Sequence, residues 1–543
     1  MSLLDALLLD PALFNIYVAN RADGIGGSGT ISDPYDGSTQ AKFDTVMRNL
    51  PSTPPVRVHL GPGTFQTQGY YDGAASGYGW QPKAGMKIIG SGVDVTTLQL
   101  VNNLSANNHY FAVGHPLASG GQPVSLDFCE VSDLTIDCNL ANQSNTVACG
   151  AVRLMGNHVR IRRVKAKNWG NKISANLGYV FAVIVSDPAT GASLINCGIE
   201  DCMAVLPGTA TTGEMLIFHA GGKEHDATNT LEGFGTAPFI RNCFVDCDST
   251  GALGNGTDYR AKFRALSMTS CKGGIVEGNQ IHNTWYGGPY LTKWSVRDMV
   301  VRNNVYKNVV SAPYLNLPAP GTAITNSSLV LPNPSPSTVV EVTTSSNHAL
   351  TAGDRVKISG ALPTDYNGVF VVDSITPPNK FRYRLATRPA ASTAAGSTQK
   401  VLGVERFVFE ENEIEMPLFA APLPQPIAVQ TNASSLAALG LAYVYGDVLI
   451  RDNRIHYLDT RFDSTYLGFP IKILGARNLI ARNNVVESAP ANPLQNSLSG
   501  TVKYFNNEMP TGVLVQGVNL DAGNKKYDEL ATQAEDATML TLI

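Results

Sequence analysis

The longest polar excursion in the first half of the chain is "TTGEMLIFHAGGKEHDATNTLEGFG", residues 211–235. It carries Glu214, His219, Lys223, Glu224, His225, Asp226 and Glu232. Further on, "GTDYRAKFRALSM" at 256–268 adds Asp258, Arg260, Lys262 and Arg264, and Asp246 and Asp248 lie between the two. Two chemistries fit these residue types. Hydrolysis of a glycosidic bond needs two carboxyls, about 5 Å apart for retention and about 6.5–9.5 Å for inversion. Asp246 or Asp248 facing Asp258 or Glu214 would make such a pair. Elimination instead needs a base for a proton α to a carboxylate, with a cation or Ca²⁺ neutralising the acid. Lys262, Arg264 and His219 are the candidates for that role. Each of these side chains also suits a solvated loop, so residue type alone does not select a chemistry.

A second cluster is aromatic. "NTWYGGPYLTKW", 283–294, places Trp285, Tyr286, Tyr290 and Trp294 in a Gly- and Pro-rich stretch, and two of the chain's 4 Trp are among them. Flat rings with a polar edge suit sugar rings, and exposed ones dominate recognition surfaces. Packing under the loop or against another subunit would use the same residues.

The elements that must position these groups repeat. "GGIVEGNQIHNT" at 273–284 and "DVLIRDNRIHYL" at 447–458 have one pattern, with Asn two places before an apolar residue. The pattern recurs around Asn242, Asn279, Asn304, Asn412, Asn453, Asn484 and Asn507, and "SLINCGIEDC" puts Cys197 in the Asn place. The shortest gaps match one unit of a 20–50-residue solenoid repeat. The lines are short, β-branched and alternating, so they are strands, and no helix-length amphipathic segment recurs with them. A parallel β-helix follows, with rungs about 4.8 Å apart and like residues stacked on like. The recurring Asn then forms a ladder of side-chain amides at one turn, a structural role and not a chemical one.

Composition agrees. Of 543 residues only 15% are charged, and Gly is plentiful at 51, as in turn-rich β proteins. The net charge of −4 and the lack of a basic stripe exclude nucleic acid as the expected partner. Cys197 and Cys202 are echoed by Cys243 and Cys247, which reads as buried thiols stacked in a narrow core, with disulfides as the alternative. The Cys spacing does not suit zinc, and no metal or cofactor is expected beyond Ca²⁺ in a lyase. "MSLLDALLLDPALF" is too short and too often interrupted by Asp for a signal peptide or a membrane span. A cytoplasmic protein is expected, or a virion-associated or cell-surface one released without a signal.

"VRVHLGPGTFQT", "PKAGMKIIGSGVDVTTLQL" and "VSDLTIDCNL", together with the later Asn lines, resemble the coils of right-handed β-helix proteins of the pectate-lyase-like superfamily. The resemblance covers roughly 56–325 and 400–515. It implies an all-β right-handed parallel β-helix with the substrate along one sheet face, walled by long loops. It implies no single activity, because that superfamily includes lyases, hydrolases, phage tailspikes and inactive proteins. The paired-Asp pattern of polygalacturonase-like hydrolases is missing here, as is the Asp and Arg set of calcium pectate lyases.

Composition shifts at "NSSLVLPNPSPST" and again at "RPAASTAAGSTQK", which read as linkers. Between them, 338–388 reads as a small β-barrel or sandwich inserted between rungs. It resembles modules of phage tail proteins at "LTAGDRVKISG" and "YNGVFVV". The expected organisation is a capping or docking segment at 1–55, β-helix at 56–327, the inserted β-domain with its linkers at 328–400, β-helix again at 401–515, and a helical tail at 516–543. A helix is expected near 39–50. Short helices at 3–9 and in the tail would cap raw strand edges or dock onto a larger particle.

The function expected is tailspike-like or surface recognition of polysaccharide, with or without its depolymerisation. Alternatives are a stand-alone polysaccharide lyase or glycoside hydrolase, and a non-catalytic structural β-helix of a virion or filament. A homo-oligomer, with a trimer as the guess, and attachment to a larger particle are the other expected partnerships.

Overall fold

The structure is a computed structural model. It describes residues 14–71, 79–104, 109–114, 126–143, 146–173, 177–184, 194–208, 211–221, 235–248, 263–269, 271–292, 296–316, 323–330, 338–345, 348, 350, 352, 354–376, 379–389, 393–401, 404–415, 427–430, 445–456, 471–474, 476–487, 494–497, 501–505 and 515–517. The expected helices at 3–9 and in the tail, and Asn507, lie outside them.

Short strands stack in parallel, each on its counterpart in the next turn of chain, so that the polypeptide coils as a right-handed parallel β-helix. Each turn contributes to three faces. The first face passes through Gly198–Glu200, Phe239–Arg241, Ile275–Glu277 and Val296–Arg302. The second passes through Met203–Ala204, Phe244–Asp246, Gln280–Tyr286 and Val305–Ser311. The third passes through Ala148–Leu154, Leu177–Ile184, Glu214–Gly221 and Phe263–Thr269. Alternate side chains point inward and form one continuous apolar core.

Turns between the first and second faces set the ladder. At each turn one residue adopts left-handed backbone: Arg163, Asp201, Asn242, Gly278, Asn303, Glu411, Asp452 and Asn483. The next residue points inward. From Asn279 to Asn484 that residue is a buried Asn. Its amide is bonded on both sides: Asn304 Nδ2 donates to Val276 O at 3.1 Å and to Asn412 Oδ1 at 2.9 Å, while Asn304 Oδ1 accepts from Asn279 Nδ2 at 2.8 Å. In two turns the expected register is off. Asn242 is the exposed left-handed residue, and Cys243 takes the ladder place; Cys202, not Cys197, does so one turn earlier. The Cys202 thiol lies 3.5 Å from Ile161 O, the rung-below carbonyl that an Asn amide would reach. All eight cysteines are free and buried, in keeping with stacked thiols rather than disulfides.

The helix Gln40–Asn49 begins at Thr39, whose hydroxyl accepts from Lys42 N. It packs Phe43 and Met47 into the core beside Phe65 and Trp80, at the N-terminal end of the stack.

The insertion is a closed six-stranded antiparallel barrel running from Ala323–Val330 to Thr393–Val401, with its own core around Val340, Val356, Phe381 and Tyr383. Its first and last strands fall partly within the stretches read as linkers. Both strands are rich in Ala, Ser and Thr and pair with each other, so backbone bonding and not side-chain pattern defines them. The coil continues across the insertion. Val296–Arg302 pairs directly with Val404–Glu410, and Asn304 bonds Asn412, as if the barrel were not there.

Candidate functional site

Strands of the third face bend in the middle. At the bend two consecutive side chains point inward: Ala151 and Val152, Val180 and Phe181, Ile217 and Phe218, Ala265 and Leu266. The bend splays the outward side chains into two columns. One runs through Tyr179, Leu216, Arg264 and Tyr286. The other runs through Arg153, Ala182, His219 and Ser267, with the backbone of Tyr290 next in register. The earlier rungs are well covered: Phe111, Tyr179, Ala182 and Leu216 form an apolar cluster separate from the main core.

Glu214, His219 and Arg264, which the sequence singles out, come together on this face. Arg264 grips Glu214 with two nitrogens, Nη2–Oε1 at 2.6 Å and Nε–Oε2 at 3.2 Å. The arginine is buried, whereas the Glu214 carboxylate is 44% exposed, so the pair stands at the rim. The guanidinium lies 4.8 Å over the Tyr286 ring, a cation–π contact that fixes its plane. Tyr286 and the residue before it, Trp285, are both half-buried.

His219 is buried. Its Nδ1 is 3.1 Å from Ser267 Oγ and its ring packs against Tyr179 at 5.3 Å. Burial pushes its pKa down to about 4, because low-dielectric surroundings disfavour the imidazolium. Its Nε2 is buried without a hydrogen-bond partner among the described residues. Two rungs away, Arg153 is fully buried with its guanidinium 4.7 Å over Phe111.

Asp246 has a different setting. It lies on the second face, and its Oδ1 accepts from Asn283 Nδ2 at 2.9 Å and from the Asp248 N–H at 3.0 Å. Asn308 Nδ2 in turn donates to Asn283 Oδ1 at 2.7 Å. These contacts form a second polar ladder, which the sequence reading missed; its signal is an Asn four places after the first, in "NQIHN" and "NVYKN". Asp258, Lys262 and Trp294 lie outside the described residues, as does the Tyr290 side chain. Among the described residues no group of three or more His, Cys, Asp or Glu could hold a metal ion. Arg153, Tyr179 and Ser267 were also missed. Only the register across intervening loops places Tyr179 and Ser267 beside His219, and Arg153 two rungs from it.

This is a parallel β-helix protein whose third face carries an arginine–glutamate pair under a tyrosine ring and a buried histidine. No protein-family model and no curated protein matches its sequence. Solved structures resemble it in architecture. One is the A-module of a mannuronan C-5 epimerase from Azotobacter vinelandii, 11% identical, covering 92% of this chain and 100% of that one with a TM-score of 0.40. Another is a tailspike protein of E. coli bacteriophage HK620 in complex with a pentasaccharide, 11% identical, with 94% and 68% covered and a TM-score of 0.46. A third is an alginate lyase from a Paenibacillus species, 11% identical, with 87% and 97% covered and a TM-score of 0.31.

Proposed function

We propose that this chain recognises polysaccharide along its third face, with the rim at Glu214, Arg264, Trp285 and Tyr286 as the contact surface. The observation that carries this reading is the Arg264 guanidinium, held in plane by Glu214 and by the Tyr286 ring, with the half-buried Trp285 preceding Tyr286 in the same strand. Fixed planar donors beside aromatic surface suit the hydroxyls and the apolar faces of sugar rings. An extended stack of rungs suits an extended polymer.

If the face also cuts its ligand, elimination fits better than hydrolysis. His219 is neutral at physiological pH, and its Nε2, buried with no partner among the described residues, would act as proton acceptor only once a covering side chain moves aside. The Glu214 and Asp246 carboxylates are already engaged, by Arg264 and by Asn283 respectively. A particle- or surface-attached oligomer, with a trimer as the first case, is part of the same proposal; light scattering on the purified chain tests the trimer. The test of recognition is retention on a panel of immobilised bacterial glycans. Trp285→Ala is expected to abolish retention with unchanged circular dichroism, and equal retention by that variant would remove the rim from the account.

A further inference from the structure

The barrel and the coil are built as two bodies. Their apolar cores share no residue, and the rungs on either side of the insertion pair with each other directly. The chain leaves the coil after Tyr314–Asn316, a third-face strand, and returns into Val404–Glu410 on the first. Between the last barrel strand, which ends at Val401, and the next coil strand, which begins at Val404, stand residues 402–403 alone. Two bodies joined this way move relative to each other unless something holds them.

Arg297 on the coil reaches across to Asp354 on the barrel and pairs with it through Nη2 and Oδ1. Asp354 is fully buried and Arg297 is 12% exposed. Arg297 is itself well seated. It lies in the strand Val296–Arg302, and its neighbour Asp298 pairs with Arg406 of the next rung, both of them left-handed residues of one corner. In register with Arg297 on that next rung is another acid, Glu405.

We infer that the Arg297–Asp354 pair is a clamp that fixes the orientation of the barrel on the coil, and that opening it lets the barrel swing with both bodies still folded. A buried carboxylate whose cation is removed is strongly destabilised unless it regains water. Here it regains water by undocking, because Asp354 precedes the strand Arg355–Ser359 of a barrel that keeps its own core.

The test is a distance measurement by pulsed electron spin resonance on the full chain. Labels go on Leu362→Cys, 78% exposed on the barrel, and on Gln280→Cys, exposed on the coil; the native thiols are all buried and stay unlabelled. The clamp predicts one narrow distance in the parent chain. Arg297→Met and Asp354→Asn each lose it in favour of a longer, broader distribution. The swapped pair, Arg297→Glu with Asp354→Arg, restores the narrow one. A narrow distance unchanged in Arg297→Met would overturn the inference, as would a broad distribution in the parent. Unfolding of the barrel in both single variants, read by proteolysis within 323–401, would also overturn it, because the pair would then belong to the barrel's own stability.

Discussion

At the scale of the residue, the ladder position admits Asn or Cys because the rung below offers a carbonyl that either can meet. An Asn also supplies an acceptor to the neighbouring rung, as Asn279 Oδ1 does for Cys243 N at 2.9 Å. Asn304→Ala therefore strands a backbone carbonyl and two neighbouring amides, and is expected to cost about 3 kcal/mol in denaturant unfolding. Cys243→Asn adds an acceptor for the turn below and should raise the melting temperature; a fall would mean that the thiol site is too small for an amide. His219 gives a pH dependence. Its folded pKa is lowered to about 4 from an ordinary 6.5, so the unfolded chain binds the proton first. Its contribution is thus complete above pH 6.5 and is lost as pH falls from there towards 4, on the order of 3 kcal/mol in all. His59, His282 and His348, also lowered by burial, add in the same direction. His219→Gln should flatten the curve of stability against pH in that window.

At the scale of the element, in-register stacking sets like positions on like, and charges on the first face answer by alternating. Arg162, Glu200, Arg241, Glu277, Arg302, Glu410 and Arg451 follow one another rung by rung. Glu277 meets Arg241 at 2.8 Å and Arg302 at 2.8 Å, and Glu410 meets Arg451 at 2.7 Å. A slip by one rung would stack like charge on like, so the column guards the register, including across the insertion. Glu277→Lys puts three cations in a row and should destabilise the coil by about 1 kcal/mol at low salt, these groups being partly exposed. The deficit should shrink as ionic strength rises. Strands of this kind were legible in sequence because their alternation is strong and most turns place Asn, Asp or Gly at the left-handed position, Arg163 and Glu411 being exceptions. The one-place slip at Asn242 arose because both members of the turn dipeptide can be Asn, as at 303–304 and 483–484. Barrel strands built from Ala, Ser and Thr were hidden for the opposite reason: closure of the barrel, not apolar pattern, makes them strands.

At the scale of the whole molecule, the coil is one structure interrupted in sequence but not in space. Deleting 317–403 with a short Gly-Ser join should leave a soluble coil with cooperative melting, since the pairing of Val296–Arg302 with Val404–Glu410 does not pass through the barrel. An insoluble product would mean that the barrel supports the core. The site was only partly legible. Glu214, His219, Arg264, Trp285 and Tyr286 were named from residue type and loop context. The partners of His219, Ser267 and Tyr179, sit on other rungs and become neighbours only through coiling. The contacts of Asp246 with Asn283 and the Asp248 N–H were not legible, because they join residues of different rungs and a tight turn.

Recognition of polysaccharide by the third face is tested by one experiment. Purified chain is incubated with a panel of acidic and neutral bacterial polysaccharides, and retention, new reducing ends and absorbance near 235 nm are followed together, for the parent chain and for Trp285→Ala. The account predicts retention of at least one glycan by the parent and its loss in the variant. Reducing ends that appear with absorbance would identify elimination, and should then disappear in His219→Gln. Silence of the parent chain on every glycan, with neither retention nor cleavage, would contradict the account and leave the coil as a structural element.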